Sequence, residues 1–161
     1  NTTIAYNDTQ IDPAPGVYAS GGGIFVHATN GSASLRNSIV AKNYTSNSPA
    51  PDDCSGKIFS YGRNLFGNTG GCTITTSSGT WGLLSAGSLG SFGMHGGPTA
   101  TIPLLAGSNA INAGTLDGGC VSDEGTILTD QRQFIRVAAC DLGAFEFGGL
   151  SPGPIFGDGF E

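Results

Sequence analysis

Between Asp130 and Glu146 the chain reads DQRQFIRVAACDLGAFE and gathers Asp130, Arg132, Arg136, Asp141 and Glu146 around the aromatic rings of Phe134 and Phe145. Three chemistries suit that set. Paired carboxylates can act as acid and base on a glycosidic bond or ligate Ca²⁺. Arginine forks can instead hold carboxylates and free backbone carbonyls bidentately, which closes a structure without any reaction. The clustering stands out because the chain has only 12 Asp and Glu and six Lys and Arg.

Elsewhere the reactive residue types are scattered. Carboxylates before residue 72 are Asp8, Asp12, Asp52 and Asp53, the last two within the loop-like stretch NSPAPDDCSG. Adjacent acids in a loop are usually solvated, so a Ca²⁺ site at Asp52 and Asp53 is a weak expectation and no cofactor is expected. His95 precedes Gly96-Gly97 as a turn residue, and His27 extends a strand. Ser55, Ser108 and Ser122 lack a nucleophile-elbow setting, and Gly21-Gly22-Gly23 opens no helix that would seat a phosphate. Trp81 can stack on a sugar but is more often packing. Zinc is disfavoured because no CxxC occurs and both histidines lie far from any cysteine.

A net charge of −6 with six dispersed cations argues against nucleic acid, which needs a basic patch. No signal peptide or membrane span is visible, and a chain beginning at Asn1 reads as a processed or truncated product. Four cysteines, an even number, suit two disulfides in an oxidising compartment. They allow three connectivities. Sequential pairing, Cys54–Cys72 and Cys120–Cys140, is preferred because each pair brackets one segment. Sequons occur at Asn1, Asn7, Asn30 and Asn43.

The elements that position these residues are strands and turns. Every long window is broken by Gly, Pro or β-branched residues, and no amphipathic helix emerges. A short unit recurs, an apolar residue, two variable residues and then Asn: Ile4-Ala-Tyr-Asn7, Val40-Ala-Lys-Asn43, Tyr61-Gly-Arg-Asn64 and Leu65-Phe-Gly-Asn68. Gly21-Gly-Gly-Ile24 leads into one alternating strand, and Ser34–Val40 forms another after the Asn30-Gly31 turn. This is the pattern of an all-β parallel solenoid. Alternate side chains stack inside, and Gly or Asn turns sharp corners in the left-handed region. Equivalent asparagines can bond from coil to coil. A β-sandwich is the competing architecture. The expected organisation is β-helix coils over 1–72, terminal coils and a C-terminal cap over 73–147, and a Gly/Pro linker with an aromatic tail over 148–161.

The ordered landmarks Asp53-Cys54, Gly62-Arg-Asn64-Leu65, Gly71-Cys72, Gly96-Gly-Pro-Thr99, Leu104-Leu105, Gly107-Ser108, Ala110-Ile111, Ala113-Gly114, Asp130-Gln-Arg132, Arg136 and Cys140-Asp-Leu-Gly-Ala-Phe-Glu146 resemble the choice-of-anchor Q domain. The GGGI and apolar-x-x-Asn units resemble repeats of chlamydial polymorphic outer-membrane proteins. The resemblance spans roughly residues 20–146 and implies a right-handed parallel β-helix that is bacterial, secreted or surface-attached; it brings no shared catalytic motif. Two places depart from the family: GSPAIDAG is here Gly107-Ser-Asn-Ala-Ile-Asn-Ala-Gly114, and DQRG ends in Gln133. The final IFGDGFE is similar to tails of secreted gammaproteobacterial proteins.

The expected function is therefore a non-enzymatic extracellular or cell-surface structural or adhesive module. Asp130, Arg132, Phe134, Arg136, Asp141, Phe145 and Glu146 form its cap, closing the bottom of the solenoid, and Cys140 ties that cap to Cys120. Partners are copies of itself, other surface proteins or glycans. Ile155, Phe156 and Phe160 on the tether suit docking on a neighbour's sheet, and head-to-tail stacking would give filaments. The alternative is a polysaccharide-binding or polysaccharide-cleaving β-helix, of lyase or hydrolase type.

Overall fold

The computed structural model describes residues 1–9, 20–27, 29–46, 48–114, 120–122, 124–137 and 139–153. The described residues are mostly strand and irregular backbone with almost no helix. Ten strands are formed: β1 (Thr3–Ala5), β2 (Asp8–Thr9), β3 (Ile24–Phe25), β4 (Ala33–Arg36), β5 (Ile39–Ala41), β6 (Tyr44–Thr45), β7 (Cys54–Phe66), β8 (Gly71–Leu83), β9 (Val121–Ser122) and β10 (Gly125–Thr126).

Six of them make one curled parallel sheet in which successive passes of the chain stack on each other. β1 pairs with β5, β5 with β7, and β7 with β8; β3 and β4 also lie along β7. β2 and β6 add a parallel pair beside them. The sheet therefore extends through Leu83. Among the strands of the described residues, β9 and β10 alone run antiparallel, as a small hairpin.

Alternation along the strands divides the apolar residues between two layers, as a period of two requires. Ile4, Val40 and Phe66 are in register, and Val40 and Phe66 join Cys54 and Ile58 in one core. Their neighbours Ile39, Ala41 and Leu65 face the other way, into a second core with Leu89, Leu104, Ala110, Ala113, Leu142 and Phe145. The loop-rich C-terminal half thus covers a face of the sheet. It holds itself with isolated bridges such as Leu89 to Leu104 and Ile135 to Leu150.

The corners explain the repeat. Tyr6 and Lys42, each just before the repeat asparagine, have φ of 60° and 58°. The asparagine side chain, not its backbone, holds the turn: Asn43 Nδ2 donates to Ala41 O at 3.2 Å. A second corner stacks Asn37, Gly62 and Gly79, with φ of 50°, 60° and 133°. A Cβ on Gly79 would lie 2.2 Å from Gly62 O, so only glycine fits there. The four sequence copies are not all equivalent. Asn7 and Asn43 are stacked, but Leu65 aligns with Ile39 rather than Val40, and Tyr61 aligns with Arg36 in the preceding strand.

Cys54 is bonded to Cys72 and Cys120 to Cys140, the sequential connectivity. The first bond staples β7 to β8 and the second ties the hairpin to the Asp130–Glu146 segment. Two disulfides fit folding in an oxidising, extracellular-type environment. Among the described residues, no helix is long and apolar enough to cross a membrane.

Candidate functional site

The Asp130–Glu146 segment folds into two linked ion pairs. Asp130 begins a tight turn in which Gln133 N donates to its carbonyl. Gln133 adopts a φ of 69°, in the left-handed region that favours glycine. Asp130 Oδ1 accepts from Arg132 N at 2.8 Å and Phe134 N at 3.1 Å. Its Oδ2 accepts from Arg132 Nε and Nη2 at 2.9 and 2.7 Å and from Glu146 N at 2.9 Å. The Arg132 guanidinium also donates to Glu146 O at 2.7 Å. It lies 4.1 Å from the ring centre of Phe134 and 3.5 Å from that of Phe145, a cation held over two aromatic rings.

Arg136 forms the second pair. Its Nη1 donates to Glu146 Oε2 at 2.9 Å and to Asp141 O, and its Nη2 donates to Gly143 O at 2.8 Å. Glu146, fully buried, also accepts from Asp141 N and Val137 N. Asp141 accepts from Asn112 N at 2.7 Å and from Phe147 N. Asn112 has a φ of 57°, a left-handed corner anchored on Asp141.

All seven residues expected in the cap are thereby brought together. They lie on the flank of the sheet, not beyond its last strand. Gly143 N donates to Asn37 O, Ala144 N to Thr3 Oγ1, and Leu142 and Phe145 pack with Ile39 and Leu65. Two links hold the segment beside β5: the disulfide from Cys140 to Cys120 and the hydrogen bond that Leu142 N donates to Ala110 O. β8 receives from the C-terminal half the amide of Asn109, which donates to Leu83 O at 2.8 Å.

A second polar cluster went unread in the sequence. Asn43 is fully buried; its Oδ1 accepts from Asn7 N and Nδ2, and its Nδ2 donates to Ile4 O and to Asp53 Oδ1. Asp53, also fully buried, receives Asn43 N at 2.8 Å as well. The glycines of Gly21-Gly-Gly-Ile24 leave room for this cluster, since a Cβ on Gly23 would meet Asn43 Nδ2 at 2.6 Å. Asp53 next to Cys54 was the available signal. Asp52, in contrast, accepts from Gly21 N, so the two carboxylates have separate partners. Among the described residues no group of three His, Cys, Asp or Glu side chains is arranged to hold a metal ion.

The remaining sequence candidates are dispersed. His27 bonds its own turn at Thr29, and His95 bonds Ser91 O and stacks edge-on to Phe145. Trp81 packs edge-on to Phe66. Asp12, Ile155, Phe156 and Phe160 lie outside the described residues.

Burial raises the pKa of Asp53, Asp141 and Glu146 above the ordinary carboxylate range. For Asp53, burial outweighs the hydrogen bonds from Asn43. For Glu146, burial and the neighbouring Asp141 outweigh the bonds from Asp141 N and Val137 N and the charge of Arg136. A carboxyl group whose folded pKa exceeds its unfolded one binds protons more tightly when folded. Its contribution to stability is full below the unfolded pKa and is lost as pH rises through the folded one. These three groups therefore favour mildly acidic over neutral pH, whereas the Asn1 ammonium, lowered to about 5 mainly by burial, acts in the opposite sense between that value and its ordinary one. The urea midpoint of wild type minus that of Glu146→Gln, measured from about pH 4 to about pH 8, should fall with rising pH, and a difference that does not change with pH would contradict the assignment.

Compared with known proteins, the chain matches no family model, no curated protein and no solved structure.

Proposed function

We propose that the chain is an exported bacterial, non-enzymatic structural or adhesive module, built as a right-handed parallel β-helix with a disulfide-stapled C-terminal cap. This is the role that the choice-of-anchor Q resemblance implies. One observation carries the reading: every charged group of the Asp130–Glu146 segment is consumed inside the protein. Asp130 and Arg132 bond each other, Arg136 bonds Glu146, and Asp141 is filled by backbone amides. A catalytic carboxylate must reach a substrate proton or bond, and these five groups are turned inward. The stacked passes and two disulfides support a rigid extracellular scaffold, and the module works by presenting surfaces to copies of itself or to other surface proteins.

A polysaccharide-binding role draws on Trp81, whose ring is 41% exposed and could stack on a sugar face. Digestion assays separate the readings. Incubated with uronic-acid polymers and neutral glucans, the purified protein is expected to release no reducing ends, and surface labelling of intact source cells is expected to reach it. Release of reducing ends that disappears in a folded Asp141→Asn variant would overturn the non-enzymatic reading. Retention of the protein inside the cell would overturn the surface role.

A further inference from the structure

We propose that β8 is a self-association edge, on which β8 of a second copy of this chain pairs antiparallel about a two-fold axis at Ile74. The inference goes beyond the structural role above and rests on the strand itself. β8 is 13 residues long, GCTITTSSGTWGL, without a charged residue or a proline. Among the described residues it pairs with β7 alone. Edge strands are usually protected by lysine, proline, a bulge or a covering loop, because their free backbone groups template pairing with another chain.

Two such protections are present, and both act on the second half of the strand. Ser77 is an extra residue, since Ser60 aligns with Thr76 and Tyr61 with Ser78, and Asn109 occupies Leu83 O. Among the described residues, Gly71–Thr76 is left as a regular arm with no strand paired on its outer edge.

The chemistry of that arm selects its occupant. The protein carries a net charge of −6, so two copies repel over most of their surfaces. A neutral strand meeting itself brings no ionisable side chains of its own into opposition. Pairing about Ile74 sets Thr73 opposite Thr75 of the other copy, twice, and β-branched pairs of this kind favour strand association. On the inner face, Ala33, Ile58 and Ile74 already form one column across three strands, with all three in the same apolar cluster. A second Ile74 extends that column by one step. Because the same surface is used on both sides, the contact closes on itself and yields a dimer, whereas the head-to-tail contact expected from the sequence would propagate.

Light scattering on size-separated protein over a concentration series tests this. The full chain is expected to reach twice the monomer mass at high concentration. Thr73→Lys/Thr75→Lys, which sets lysine against lysine at both positions, should remain monomeric. Thr73→Glu/Thr75→Lys, which sets glutamate against lysine at both, should dimerise again. Circular dichroism melts establish that each variant is folded. A wild-type chain that stays monomeric up to its solubility limit would overturn the proposal, and so would a folded double-lysine variant that dimerises like wild type. Should the double-lysine variant not fold, a Thr73→Glu/Thr75→Lys variant that stays monomeric while wild type dimerises would equally reject the Ile74 register. A monomeric but surface-exposed, non-enzymatic protein would remove the pairing and leave the structural role intact.

Discussion

Replacing Arg132 with alanine is expected to destabilise the protein by about 3–5 kcal/mol, the usual cost of removing one partner from a buried ion pair. On a domain of this size that is roughly 10 °C or more in Tm. The side chain is 7% exposed and its partner carboxylate 0%, so water cannot replace the guanidinium. Removal leaves Asp130 charged and buried with three backbone donors, those of Arg132, Phe134 and Glu146. It also opens the space between Phe134 and Phe145 and frees Glu146 O.

A second substitution separates charge from volume. Arg132→Met fills much of the space but still strands the Asp130 carboxylate, so its loss should remain large. Arg132→Met combined with Asp130→Asn removes both charges and should recover part of that loss, because a neutral pair is cheaper to bury than a lone charge. Urea denaturation of the three variants measures these differences. An Arg132→Ala loss below about 1 kcal/mol, the level of an exposed pair, would show that the cluster does not hold the C-terminal half in place.

The same residues show how far the sequence could be read. The concentration of charge between Asp130 and Glu146 stood out because so little charge exists elsewhere, and the sequential cysteine pairing was the preferred one of three because each pair brackets one segment. Position was not legible. An end cap and a flank cover need the same residue types, and the choice is made by long-range bonds such as Ala144 N to Thr3 Oγ1, which leave no local pattern. The departures at Gln133 and Asn112 looked like missing turn signals, yet both residues take left-handed backbone. Side-chain bonding nearby, at Asp130 and Asp141, stabilises what glycine would have allowed.

The repeat was legible as a stack, and its register was not. Apolar-x-x-Asn occurs four times, but only the copies ending at Asn7 and Asn43 are stacked. Asn64 serves the preceding corner, bonding Leu35 O and Ser38 N. A four-residue motif cannot distinguish two corners of the same coil when both use asparagine to satisfy backbone groups. Asp53 supplies the next acceptor for Asn43, but it precedes β7 beside Gly23 and belongs to no apolar-x-x-Asn unit, which is why the cluster was not recognised.

Asn43, fully buried and with four partners for its side chain, is a sensitive position in the sheet. Asn43→Ala removes the side-chain bonds to Asn7, Ile4 O, Ala41 O and Asp53 at once. It leaves a fully buried carboxylate with less support. Unsatisfied buried groups cost about 1–3 kcal/mol each and charged ones more, so a total loss of about 4 kcal/mol is expected. Asn43→Asp keeps the shape and the acceptor toward Asn7, but it sets a second carboxylate against Asp53 Oδ1, where Nδ2 now donates at 2.9 Å. Two buried carboxylates at that separation cannot both ionise and will share a proton. At neutral pH the loss should therefore match or exceed that of the alanine variant. As pH falls toward the ordinary carboxylate range the shared proton is supplied, and the folded aspartate variant should regain stability relative to wild type, by more than the alanine variant, in which only Asp53 takes up a proton. Thermal melts of both variants at neutral and mildly acidic pH decide the matter. An Asn43→Asp protein as stable as wild type at neutrality would mean that the column tolerates unpaired charge, and that the Asn7–Asn43–Asp53 ladder is not what holds these passes in register.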